Sequence, residues 1–157
     1  MRENQKQKLQ KSFSERRGVA AVECALVAPL LVMIAMGTID VSQYVNVAQL
    51  VNDASYEGAR RASQNNVLNQ SEVEQAVLNY FTSQFPSMDS GDIGSALTVN
   101  VRNDSGTSIP NGNLGTVPSG SAVSVQVIFQ FNSVRWLSGF AGLNGVSIET
   151  TTVMRRE

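Results

Sequence analysis

The longest apolar run in the chain lies between Val19 and Ile39, twenty-one residues interrupted by a single charge, Glu23. A helix rising about 1.5 Å per residue would carry that run across the roughly 30 Å hydrocarbon core of a bilayer, which predicts a transmembrane helix. Beyond Asp40 the pattern turns amphipathic instead of stopping. Val41, Tyr44, Ala48, Val51, Ser55, Gly58 and Ala62 recur at spacings of three and four, while Gln43, Gln49, Asn52, Asp53, Arg60 and Arg61 fall mostly on other faces. One helix from about Val19 to Gln64 follows, half in lipid and half in water. Its outer stripe is expected to pack on the chain's own globular part in preference to neighbouring subunits.

After a polar break at Asn65 to Asn69, Ser71-Glu72-Val73-Glu74 has the form of a capping box, and Val73, Val77, Tyr80, Phe81 and Phe85 give a second, short helix ending near Pro86. The period then falls to two. Leu97, Val99 and Val101 alternate with polar residues, as do Val123, Val125, Val127, Phe129 and Phe131, and a third threonine-rich candidate strand runs from about Val146 to Val153. Residues 103–122, rich in Gly, Asn, Ser and Pro, are expected to form a long exposed loop. Trp136, Phe140 and Leu143 sit in a glycine-containing connection and suit either a lid over the sheet's open end or an exposed contact patch. The order of elements predicts an α+β fold: a long N-terminal helix, a short second helix and an antiparallel sheet of about three strands.

Charge sharpens this division. The chain's net charge of −1 conceals a leader before Gly18 carrying six basic and two acidic residues, net +4, against a remainder at −5. Basic flanks stay cytoplasmic, so residues 1–18 are expected inside, 19–39 in the membrane, and the helix extension 40–64 and the α+β domain 65–157 outside. The span is longer than the apolar core of a secretory signal and is followed by more helical sequence, so it is read as retained. No basic surface continues into the folded part, which argues against nucleic acid as a partner.

Chemistry is sparse. The chain has no histidine, the commonest general base and transition-metal ligand, and its lone Cys24 allows no internal disulfide. No phosphate-binding glycine motif or activated nucleophile is visible, and neither enzyme activity nor a cofactor is expected. Asp89 with Asp92, and Asp104, fit solvated turns better than a calcium loop. Asn69-Gln70-Ser71 and Asn103-Asp104-Ser105 match the glycosylation sequon as chance patterns. Two residues of the span stand out. Pro29 lacks an amide hydrogen and predicts a kink near Ala25. Glu23, a carboxylate in an apolar setting, marks either function or a side chain reaching for water at the interface.

The string Arg16-Arg17-Gly18-Val19-Ala20-Ala21-Val22-Glu23, followed by the apolar helix, resembles the prepilin peptidase site of type IV pilin-like proteins. More narrowly, residues 16–31, with Ala54-Ser55-Tyr56-Glu57-Gly58-Ala59-Arg60 downstream and weakly the ending Met154-Arg155-Arg156-Glu157, resemble the TadE-like (TadE and TadF) minor pseudopilins of the tight-adherence (Flp) type IV pilus system. The resemblance implies a pilin-like fold and cleavage between Gly18 and Val19. It also implies pairing of Glu23 with the new N-terminal ammonium of a neighbouring subunit. The expected partners are a prepilin peptidase, pilin and other minor pseudopilin subunits, and a membrane platform with its cytoplasmic ATPase. The expected location is the bacterial inner membrane, with the N-terminus cytoplasmic and the C-terminal domain periplasmic, or the pilus itself. The competing expectation is an uncleaved, membrane-anchored protein whose outer domain binds a surface or envelope component.

Overall fold

The computed structural model describes residues 2–86, 88–134 and 145–157, with residues 2–20 as helical backbone alone. Helix α1 runs without a break from Arg2 to Ser63, so residues 2–18, 19–39 and 40–63 are one element. Helix α2 (Gln70–Gln84) turns back against it, and a seven-residue helix α3 (Ser90–Ala96) leads directly into strand β1 (Leu97–Asn103). Strands β2 (Ala122–Gln130) and β3 (Ser147–Arg155) complete an antiparallel sheet in the order β1-β2-β3. The long helix, the shorter second helix and the three-stranded sheet make the α+β fold that the pattern predicts.

The sheet packs one face on the outer half of α1 and leaves the other to solvent. Period-two alternation sends Val123, Val125, Val127 and Phe129 of β2 into the core, with Ser124, Gln126 and Ile128 on the opposite face. In register, Val99 opposes Val127 and Val125 opposes Thr152. From α1 come Val47, Val51, Ala54, Ser55, Ala59 and Ala62, and from α2 Val73, Val77 and Phe81, all buried. Phe81 stacks on Phe129 with ring centroids 5.0 Å apart. Gly58 is where α1 comes closest to its neighbours: a Cβ there would stand 2.7 Å from Val77 Cγ2 and 3.2 Å from Val125 Cγ1. Val41, at the start of the predicted stripe, is exposed: the face that the domain covers at this level runs through Asp40, Gln43, Tyr44 and Val47, and Val41 points away from it.

Two local expectations are corrected and one element is added. The residue capping α2 is Asn69, which makes no side-chain cap bond, and Ser71 lies inside the first turn. Glu72 of the supposed box instead meets Arg61 at 3.5 Å, and Glu74 accepts a bond from Gln70 Nε2 at 2.8 Å. The region 103–122 is not simply an exposed loop. It forms short 3-10 turns at Pro110–Gly112 and Leu114–Thr116, buries Ile109, Leu114 and Val117, and is tied to the α1–α2 connection by Leu114 N donating to Leu68 O at 2.8 Å. Helix α3, absent from the sequence reading, is capped by Asp89, whose carboxylate accepts from Gly91 N, and is held by the buried Ile93 and Ala96.

Candidate functional site

The described part of α1 from Ala21 carries the features of a membrane anchor. Its most apolar window has a mean hydropathy of 2.1 and no buried residue, a length and composition sufficient to cross a bilayer. Leu26, Val27, Leu30, Leu31, Val32, Met33 and Ile34 are exposed all round the helix, Leu26 to 73%. Apolar residues on every face mean that water is not the intended surroundings of this segment.

Glu23 lies exposed near the start of that stretch and makes no ion pair with a described residue. Gly18 and Val19 belong to the helical backbone of α1, which is all that is described of them. Glu23 follows Val19 by four residues, about 6 Å of helical rise, which sets both on one helix face. α1 continues through Pro29, whose missing amide hydrogen leaves the Ala25 carbonyl without its usual helical donor. Cys24 is a free, exposed cysteine.

The span joins the domain without a linker. Asp40, the first residue past it, is fully buried. One turn further, Gln43 Nε2 donates to the Val134 carbonyl at 3.1 Å, and the Tyr44 ring meets Phe131 edge-on at 5.4 Å. Higher up, Ser55 Oγ donates to Val125 O at 3.0 Å and shares a 2.9 Å hydrogen bond with Thr152 Oγ1. At the far end the buried Arg156 guanidinium donates to the carbonyls of Ala62, at 3.4 Å, and Val67, at 3.0 Å, while Glu157 N donates to Ser63 O at 2.9 Å. A cation on the last carbonyls of a helix satisfies orphan acceptors and complements the helix dipole. Sequence reasoning missed this role: the one signal was the similarity of the chain's ending to the family, which did not say what an arginine there would touch.

The other sequence candidates are not assembled into a site. Asp89 serves as a helix cap, Asp92 sits in the first turn of α3 and Asp104 is exposed in the turn after β1. Among the described residues no three His, Cys, Asp or Glu side chains are grouped so as to hold a metal ion. Trp136, Phe140 and Leu143 lie outside the described residues.

The arrangement defines a class: a protein with one N-terminal helix fit to cross a membrane, carrying a small α+β domain on the helix's own extension. Comparison adds a likeness over part of the chain. Residues 18–60, less than half of it, match the family model described as TadE-like protein. The matched segment begins at Gly18 and ends one turn before α1 does, so the sheet domain lies outside it. No curated protein and no solved structure gives a match.

Proposed function

We propose that the chain is a minor pseudopilin, a structural component of tight-adherence pilus assembly, matured by a prepilin peptidase that cuts between Gly18 and Val19. The observation that carries the reading is the coincidence of three boundaries at one place. The basic leader ends at Arg17, the family match begins at Gly18, and the apolar run begins at Val19. A peptidase that recognises a membrane-embedded substrate needs a small residue beside the scissile bond and a cationic stretch holding that bond at the cytoplasmic face.

Cleavage creates an ammonium group on Val19 in an apolar setting. Glu23 supplies a carboxylate on the same helix face, and in an assembly it neutralises the Val19 ammonium of a neighbouring subunit. Breaking such a pair strands a charge at a cost of about 3–5 kcal/mol, so it fixes the register in which a subunit docks. Pro29, which leaves the Ala25 carbonyl without a helical donor, is the place where the span would bend within the bundle. The partners in this reading are the peptidase, pilin and other pseudopilin subunits, the platform proteins with their ATPase, and membrane lipid. The outer domain stands in the periplasm with the leader in the cytoplasm. Mass spectrometry of the N-terminus of protein isolated from its native host tests the proposal. Val19 as the first residue is expected, and a chain starting at Met1 or Arg2 in assembled material refutes it.

A further inference from the structure

The two edges of the sheet are treated differently. Among the described residues, Val101 O of β1 accepts from Ile109 N, Asn103 N donates to Thr107 O, and Arg102 bridges to Ser108, so the distal half of that edge is occupied by the chain itself. Among the described residues strand β3 has no such cover. Phe131 N donates to Val146 O and Arg156 N to Ser121 O, which sets the even-numbered residues of β3 in the hydrogen-bonded pairs with β2. The N–H and C=O groups of Ser147, Glu149, Thr151, Val153 and Arg155 therefore point away from β2. No described residue bonds them. Across its nine residues β3 keeps a continuous register and contains no proline and no lysine, the usual devices that blunt a free edge.

Who can pair with this edge is limited by the membrane anchor. The start of β3 lies beside Phe131, which touches Tyr44, its middle beside Ser55, and its end beside Ala62. β3 thus runs parallel to α1, away from the membrane. Two copies anchored in one membrane present β3 strands pointing the same way, so an antiparallel β3–β3 ladder would need one copy inverted. A twofold axis along the membrane normal sets each N–H opposite the same N–H of the partner at equal height, and no bond forms. Pairing β3 with the β1 edge of a second copy meets an edge of which only Leu97 and Val99 remain open.

We propose that the free edge of β3 is a strand-addition site that takes, as a fourth antiparallel strand, an extended segment of a different envelope polypeptide. The side chains of the odd-numbered residues lie on the solvent face and state what that segment carries. An acidic residue sits opposite Arg155, a β-branched apolar one opposite Val153, threonine opposite Thr151 and a basic residue opposite Glu149. Glu149 is already held in place by Gln126, which in turn accepts from Asn100 at 3.1 Å. Main-chain bonds supply the affinity and these alternating positions the selectivity.

The exclusion of a second copy rests on the membrane-anchored reading of α1, whereas peptide addition is independent of leader cleavage and is expected whether the chain starts at Met1 or Val19. The test uses the full chain in lipid nanodiscs and a labelled peptide, Glu-Thr-Val-Thr-Thr-Thr-Lys-Thr-Thr. Expected are saturable binding and at least tenfold slower amide exchange at Glu149, Thr151 and Val153. Thr151→Pro removes only an outward-facing N–H, leaves the β2 ladder intact, and is expected to weaken binding at least tenfold. The same peptide N-methylated at the residues opposite Thr151 and Val153 gives the equivalent loss without altering the protein. Absent binding, unslowed exchange, or equal affinity of the N-methylated peptide overturns the proposal. So does a dimer of the chain in nanodiscs that Thr151→Pro dissolves, which would assign the edge to self-pairing.

Discussion

Replacing Gly58 with alanine sets two known effects against each other at one point. Gly58 lies in the interior of α1, where glycine is about 0.8–1 kcal/mol less favourable than alanine, so on helix propensity alone the substitution stabilises. The new Cβ, however, would stand 2.7 Å from Val77 Cγ2 and 3.2 Å from Val125 Cγ1, well inside the 3.5–4.0 Å at which carbon atoms attract. Val77 is fully buried and β-branched, so it cannot swing its methyl group aside, and relief requires α2 to move off α1. Overpacking of this kind costs about 1–3 kcal/mol, which outweighs the propensity gain and leaves Gly58→Ala destabilising by about 1 kcal/mol. The same substitution made in a Val77→Ala background meets no Cγ2 and keeps only the milder 3.2 Å approach to Val125 Cγ1, so most of the overpacking cost disappears and the sign reverses, to at most about 0.5 kcal/mol stabilising. Urea unfolding of the full chain in mild detergent, followed by circular dichroism across the four members of the cycle, measures the coupling. Equal effects of Gly58→Ala in the two backgrounds would show that the 2.7 Å approach to Val77 does not set the α1–α2 spacing.

Three further outcomes are expected, the first two resting on the proposed function. Gly18→Leu should leave the chain at its unprocessed mass in the native host, and a normal mature mass would dissociate the small residue from cleavage. Glu23→Gln keeps the side chain's volume but removes its charge. It is expected to insert and be cleaved normally yet lose co-purification with pilus components and adherence, at membrane abundance matched to Cys24→Phe, which should assemble. Full assembly by the glutamine variant would leave Glu23 as a residue of the membrane interface. Arg156→Ala deletes both guanidinium bonds to Ala62 O and Val67 O. It should destabilise the domain by about 2–3 kcal/mol in the same detergent unfolding assay, and a change below about 0.5 kcal/mol would mean that water replaces the arginine at the end of α1.

The elements legible in the sequence were those whose period is dictated by a single large neighbour. Val123 to Phe129 alternate because β2 is the central strand with one face on α1, and Val73, Val77 and Phe81 repeat because α2 has one covered side. Where burial comes from several small contacts, the pattern carries no period. Ile109, Leu114 and Val117 are isolated among glycine, asparagine and proline, and only the fold shows that they close over the core. Helix α3 contains two glycines in seven residues, a composition that opposes helix formation unless a cap and buried Ile93 hold it. The Ser71 box failed because the chain enters α2 through a bridge between Asn69 and Asn113, a pairing distant in sequence. The apolar stretch of α1 was readable because lipid acts as a uniform solvent, so that every face of the helix carries the same signal. Arg156 was not, since a single charged residue reads as solvated until its position between the carbonyls of Ala62 in α1 and Val67 in the α1–α2 connection is known.

The unbroken passage of α1 from the apolar stretch into the domain has a mechanical meaning. With Asp40 buried and Gln43 bonded to Val134 within a turn of the span's end, there is no swivel between the two parts. The azimuth of the domain about the membrane normal is therefore set by helical phase. Each residue between the span and the domain turns the domain by about 100° and lifts it by about 1.5 Å. A single inserted residue near position 40 would aim the sheet and its open edge in a new direction while changing neither the fold nor the span. Seven inserted residues would restore the heading to within about 20° and raise the domain by about 10 Å.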